Sequence, residues 1–122
     1  MQWLLHGPMT SAVAEALKRH EHHTHDIAEL QLSPDAQPSD ILKAAQKKQW
    51  DILTTDPTLA DAPFAHDLPF PRTIVFLQLT GGNVEQDDAI DRLFDRYKRL
   101  SPRRLYTVTA TRVKIRQLPG SG

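Results

Sequence analysis

The chain has 122 residues, of which 39% are hydrophobic and 25% charged, and it contains no cysteine. This length and composition predict one globular domain over residues 1–118 and a flexible tail over 119–122. The lack of cysteine excludes thiol catalysis and disulfide bonds. No apolar run approaches the roughly 20 residues that span a bilayer, and the first residues lack the pattern of a secretion signal, so we expect a cytoplasmic protein without a membrane partner.

The charges are segregated although the formal net charge is zero. All fifteen acidic residues lie within 1–95, whereas 96–122 contains eight Lys or Arg residues and no acid. A basic end of this kind favours contact with phosphates, with an acidic partner, or with the acidic half of the same chain.

The N-terminal third alternates strand and helix patterns. The apolar run Gln2–Leu5 predicts a first strand. A helix should follow, with Thr10 as its N-cap and with Val13, Ala16 and Leu17 on its buried face. The segment His22–Ile27 is a weak candidate for a second strand.

The middle third continues this alternation. Ser39 is the expected N-cap of a second helix, Asp40 its first-turn acid, and the helix should end near Trp50. Residues 51–56 have the apolar start and polar finish of a short buried strand. The four prolines within 57–72 predict a long connection of the kind that often serves as a lid or binding loop.

The last third should complete the sheet. Residues 73–79 form the strongest strand pattern, and their apolar character indicates a central strand that is covered on both faces. Asn83 and Gln86 resemble a capping box at the start of a long helix. Residues 105–108 and 112–117 predict two short strands around a turn.

This order of elements predicts an α/β fold with three α/β/α layers, a mostly parallel central sheet and a C-terminal β-hairpin. In a parallel sheet, strands end and the following helices begin at one edge, where ligands bind. His6, Asp40 and Asp56 should therefore meet there, and two carboxylates could hold Mg²⁺ or Mn²⁺. Alternatively, Asp40 only favours the helix dipole and Asp56 only caps the turn before Pro57.

Several motifs, taken together, resemble a known family. The run 39–45 followed by 50–56 is similar to the core signature of the DUF5615 PIN-like family, which is related to the Mut7-C domains. Leu4-Leu5, the helix 13–17, the region of His22, the strand 74–77 and the closing run 112–116 occur in the expected order. The similarity covers nearly the whole chain and implies a PIN-like domain.

The resemblance implies an endoribonuclease that depends on Mg²⁺ or Mn²⁺ and is often the toxin of a toxin–antitoxin pair. By position, Asp40 and Asp56 match the family's acids, whereas His6 and Thr58 stand where the family has acids. Asp61 lies nearby and is a third candidate metal ligand. The acidic cluster is therefore thinned, and the alternative is a catalytically silent module that binds RNA or a protein. The expected partners are an RNA substrate, an antitoxin protein and a second copy of the chain.

The basic residues near the C-terminus are the candidate RNA contacts. Arg112, Lys114 and Arg116 alternate along one strand face, with Val113 and Ile115 on the opposite face. We expect the apolar side to pack inward and the basic side, together with Arg103 and Arg104, to contact phosphates. The alternative role of these charges is to protect an edge strand from aggregation.

Overall fold

The computed structural model describes residues 1–33 and 35–119. The expected flexible tail therefore lies outside the described residues, apart from Pro119. The strands are β1 (Gln2–His6), β2 (His23–Asp26), β3 (Asp51–Thr54), β4 (Ile74–Leu77), β5 (Arg104–Val108) and β6 (Val113–Gln117). The helices are α1 (Ser11–Arg19), α2 (Pro38–Lys48), α3 (Pro57–Ala65) and α4 (Asn83–Arg96), and a 3-10 turn, Ile27–Leu30, follows β2.

The strands form one sheet in the order β2-β1-β3-β4-β5-β6. All neighbouring pairs are parallel except β5 and β6, which form the antiparallel C-terminal hairpin. The predicted three-layer α/β fold is confirmed. None of the helices in the described part of the chain is long and apolar enough to cross a membrane.

Successive side chains of each strand enter two separate cores, as the pleat requires. On one face, Trp3, Val75 and Tyr106 pack with the buried residues of α1 and α4. On the other face, Leu4 and Ile52 pack with the buried residues of α2 and α3. Because β1, β3 and β4 are covered on both faces, their ends are held firmly at the sheet edge where a site is expected.

The helix starts differ partly from the prediction. Thr10 caps α1 as expected, its side chain accepting from the Ala12 N–H. Helix α2 begins at Pro38 rather than after Ser39, because proline is favoured in the first turn, where its missing N–H is not needed. The expected capping box in α4 is absent. The side-chain oxygen Oε1 of Gln86 instead accepts from the backbone N–H and the hydroxyl of Thr10, at 2.9 and 3.0 Å.

The prediction of a long loop over 57–72 is wrong for the first half of this segment, which forms α3. Pro57 occupies the first turn, where proline is tolerated. Pro63 lies inside a helix of only nine residues, so that its missing N–H removes one bond from a short ladder. The first residue of this helix, Pro57, lines the cleft at the end of β3.

The expected inward packing of the apolar side of β6 is confirmed for Val113 and wrong for Ile115. Val113 is half-buried and packs against the core formed with α1 and α4. Ile115 is 41% exposed, because β6 is the last strand of the sheet and its outer end reaches solvent. On the supposedly outward face, the guanidinium carbon of Arg116 lies 3.7 Å from the centroid of the Phe64 ring on α3. The basic side of β6 therefore faces α3.

Candidate functional site

A cleft of about 500 Å³ lies where β1 and β3 end. The two strands are adjacent and parallel, and His6 is the register partner of Thr54. The chain therefore leaves both strands at the same edge, as predicted. The cleft is lined by His6, Gly7, Pro8, Ile27, Thr55, Asp56 and Pro57.

The buried hydroxyl of Thr54 contacts both His6, at the end of β1, and Asp56, after the end of β3. Thr54 is fully buried, and its oxygen lies 2.9 Å from Nδ1 of His6. The same oxygen accepts the backbone N–H of Asp56 at 2.9 Å. A buried hydroxyl needs such partners, so these contacts fix the imidazole and the start of the Asp56 segment relative to each other.

Gly7 allows the loop after β1 to approach the loop after β3. Its φ is +90°, and a Cβ atom there would collide with the Thr55 hydroxyl. The Thr55 N–H donates to the His6 carbonyl at 3.1 Å, and the Thr55 hydroxyl donates to the Pro8 carbonyl at 2.9 Å. The cleft walls are thus joined by hydrogen bonds on both sides of Gly7.

Asp56 is the N-cap of α3, a helix that the sequence did not predict, rather than the cap of an isolated turn before Pro57. Its Oδ1 accepts the backbone N–H of Thr58 at 2.9 Å, and the residue is half-buried. No hydrogen bond to Oδ2 is present within residues 1–33 and 35–119. One carboxylate oxygen therefore holds the helix start and the other remains available to a ligand.

The imidazole of His6 is half-buried beside this carboxylate. Burial lowers the pKa of His6 below its ordinary value of 6.5, and the Asp56 charge opposes that change by raising it. Because burial is the larger effect, the net change in the pKa favours the uncharged ring. A neutral imidazole can accept a proton or a hydrogen bond.

The structure brings together two of the three predicted edge residues. His6 and Asp56 line the same cleft, whereas Asp40 does not line it and is exposed in the first turn of α2. Asp61 is exposed on α3 and lines a different cleft, on the α3 face of the sheet. The expected meeting of Asp40 with Asp56 in this cleft is not observed, and Ile27 of the 3-10 turn contributes to the lining instead.

Asp56 and His6 offer a carboxylate oxygen and an imidazole nitrogen to a divalent cation. Within the described residues, no group of three or more His, Asp or Glu side chains is placed to hold a metal ion. Mg²⁺ usually keeps several of its water ligands and is held through one or two carboxylates. A cation in this cleft would have Asp56 as its one carboxylate ligand and would be held otherwise through water.

The five basic candidates do not form one surface. Arg112 lies in the turn after β5, at the same sheet edge as the cleft, whereas Arg103 and Arg104 lie at the start of β5 and hence at the opposite edge. Lys114 and Arg116 line the second cleft, beside α3. A single basic stripe running through all five residues is not present.

Sequence reasoning missed the roles of Gly7, Thr54 and Thr55. The available signal was a threonine pair at the end of an otherwise apolar strand, followed by an acid and a proline. The pattern locates the strand end, but not which hydroxyl turns inward. That choice depends on the register between β1 and β3.

These features define a three-layer α/β/α domain with a cleft at the carboxyl edge of its parallel strands, the usual ligand position in such sheets. The chain matches no protein-family model, no curated protein and no solved structure.

Proposed function

We propose that the chain is a PIN-like domain that cleaves RNA weakly with Mg²⁺ or Mn²⁺ at the cleft formed by His6 and Asp56. The observation that carries this proposal is the placement of these two side chains together at the carboxyl edge of β1 and β3. The order of motifs that resembles the DUF5615 PIN-like family supports it. A role as the toxin of a toxin–antitoxin pair, located in the cytoplasm, belongs to the same proposal.

Asp56 would be the main protein ligand of the cation, through the oxygen that does not cap α3. A bound cation supplies a polarised water and offsets charge on a phosphodiester. Asp40 would bind the cation only if the start of α2 moved toward the cleft. Asp61 lines the second cleft and would take part only if an RNA strand occupied both clefts at once. We therefore expect weak cation binding.

His6 would act through its uncharged ring. Thr54 holds the Nδ1 side, which leaves Nε2 for a water or an RNA hydroxyl. A neutral imidazole contributes no negative charge and is a poorer ligand than a carboxylate for a hard cation. Its proposed role is to hold or accept a proton beside the reacting phosphate.

The second candidate function is a catalytically silent module that binds RNA or a protein partner. A specific observation favours it, because both cleft side chains already have structural hydrogen bonds: His6 with Thr54, and Asp56 with Thr58. These contacts stabilise the fold whether or not the cleft has a catalytic role. The two functions differ in their dependence on the Asp56 charge.

The test is cleavage of a labelled single-stranded RNA at millimolar Mn²⁺ by the native protein and by Asp56→Asn. Asparagine is as good an N-cap as aspartate, so this substitution removes the charge while keeping the helix start. A matched control is Asp95→Asn, because Asp95 is exposed on α4, in the opposite helical layer. The proposal expects cleavage by the native protein and the control, and at least a tenfold loss in Asp56→Asn.

Equal, EDTA-resistant activity in all three proteins would indicate a contaminating nuclease and contradict the proposal. RNA binding without any Mn²⁺-dependent cleavage would favour the silent module.

A further inference from the structure

The face of the sheet that carries α2 and α3 is open over its last strands. Helices α2 and α3 pack against β3 and β4 on this face. Beside α3, over β5 and β6, lies a cleft of about 640 Å³. Its size is within the range of small-molecule sites and is sufficient for a nucleotide.

The floor of this cleft combines an aromatic ring, a hydroxyl and a cation in one row. Phe76 of β4 is the register partner of Thr107 of β5, which is the partner of Lys114 of β6. Phe76 and Thr107 are half-buried, and Lys114 is exposed. The row therefore runs from an apolar surface under α3 to a charged rim at the sheet edge.

A second cation is held at the same rim. Arg116 lies over the Phe64 ring on α3, at 3.7 Å from its centroid, which restrains a side chain that would otherwise be mobile. Neither Lys114 nor Arg116 forms an ion pair within the described part of the chain. Asp61 also lines the cleft, and the two cations outweigh its single negative charge.

The cleft adjoins the site of His6 and Asp56. Pro57 lines both clefts, because it follows Asp56 directly and begins α3. A polymer with a phosphate at Asp56 can thus continue past Pro57 onto the open face of β4, β5 and β6.

We propose that this second cleft binds an unpaired nucleotide of single-stranded RNA, with the base against Phe76 and the backbone phosphates at Lys114 and Arg116. This inference rests on the proposed action on RNA and adds a binding site for the strand beside the cleft of His6 and Asp56. Aromatic side chains bind bases that are free to leave a stack, and a duplex keeps its bases inside. An acidic peptide is less well suited to this cleft. Extended peptides commonly bind by hydrogen bonding to a free strand edge, whereas this cleft presents an aromatic ring on the face of the sheet.

The test measures fluorescence anisotropy of the native protein with a labelled eight-nucleotide single strand, with its blunt duplex, and with an octaglutamate peptide. The variants are Lys114→Gln with Arg116→Gln, and separately Phe76→Leu. The matched control is Lys47→Gln with Lys48→Gln, which removes two equally exposed charges from the end of α2. Thermal melts establish that each variant is folded.

The native protein should bind the single strand at least tenfold more tightly than the duplex or the peptide. The Lys114 and Arg116 double variant should bind at least tenfold more weakly than the control, with a salt slope reduced by about 0.7 for each lost contact. Phe76→Leu should weaken binding about fivefold.

Equal affinity of the double variant and the control would overturn this cleft and leave the proposed site at Asp56 intact. No binding of RNA by the native protein would overturn both proposals. Preference for the duplex would overturn the unpaired substrate, and tighter binding of octaglutamate would replace RNA by an acidic protein partner. Single-strand binding lost in the double variant, with no Mn²⁺-dependent cleavage by the native protein, would support this cleft while removing the nuclease activity.

Discussion

Nδ1 of His6 lies 2.9 Å from the hydroxyl oxygen of Thr54, its register partner on the neighbouring parallel strand. The same hydroxyl oxygen accepts the N–H of Asp56. One buried side chain at the end of β3 thus positions both groups of the candidate site. The site geometry depends on a residue that does not line the cleft.

Replacing Thr54 by valine should destabilise the protein although the two side chains have similar shapes. The substitution leaves the Asp56 N–H and the His6 ring without their partner, at a cost of about 1–3 kcal/mol. Thr54→Ser is the control, because it keeps the hydroxyl. Urea denaturation at pH 7 measures both changes, and a valine variant as stable as the native protein would show that the hydroxyl is not required.

Asp56→Ala and Asp56→Asn should differ in stability. Asparagine retains a side-chain oxygen for the Thr58 N–H, whereas alanine loses it, so alanine should be less stable by about 1 kcal/mol. Paired thermal melts without metal compare the two variants. Equal melting temperatures would mean that the cap does not stabilise α3.

Stability should fall in acid partly because of His22. Burial is the main cause that lowers the pKa of His22 from 6.5 to about 4, and nearby positive charges of the N-terminus, His20 and His23 contribute. Its Nδ1 accepts the indole N–H of Trp3 at 3.0 Å, which requires an unprotonated nitrogen. Above pH 6.5 this contribution to stability is complete, and it is lost as the pH falls toward 4, because the unfolded chain binds the proton more tightly.

The expected loss from His22 is on the order of 2 kcal/mol, since solvent reaches the half-buried ring and reduces the effect. His22→Gln should show a shallower decline in unfolding free energy between pH 7 and 4. Parallel curves for the two proteins would assign the acid sensitivity to other groups.

The sequence predicted the existence and order of the strands better than the ends of the helices and strands. The apolar run of β4 and the stripe of α4 depend on burial within one element, which periodicity reports directly. Helix α3 was missed because four prolines suggested a loop, yet Pro57 stands where a helix needs no N–H donor.

The remaining differences come from contacts between distant segments. Gln86 was expected to cap its own helix, but the N–H and the hydroxyl of Thr10 donate to its side-chain oxygen Oε1 instead. Ile115 was expected to pack inward, but β6 is the edge strand and leaves it exposed. Asp40 and Asp56 were correctly assigned to a helix start and a strand end. Whether both carboxylates line one cleft depends on how distant segments pack, which no local pattern specifies.

The most direct test of the proposed site is calorimetric titration of Mn²⁺ into the native protein, His6→Asp and Asp56→Asn. Aspartate at position 6 would place a second carboxylate beside Asp56, so His6→Asp should bind Mn²⁺ at least tenfold more tightly than the native protein and melt at a lower temperature without metal. Asp56→Asn should show no measurable binding. Equal Mn²⁺ affinity in all three proteins would contradict the account, because the two positions would then not form one cation site.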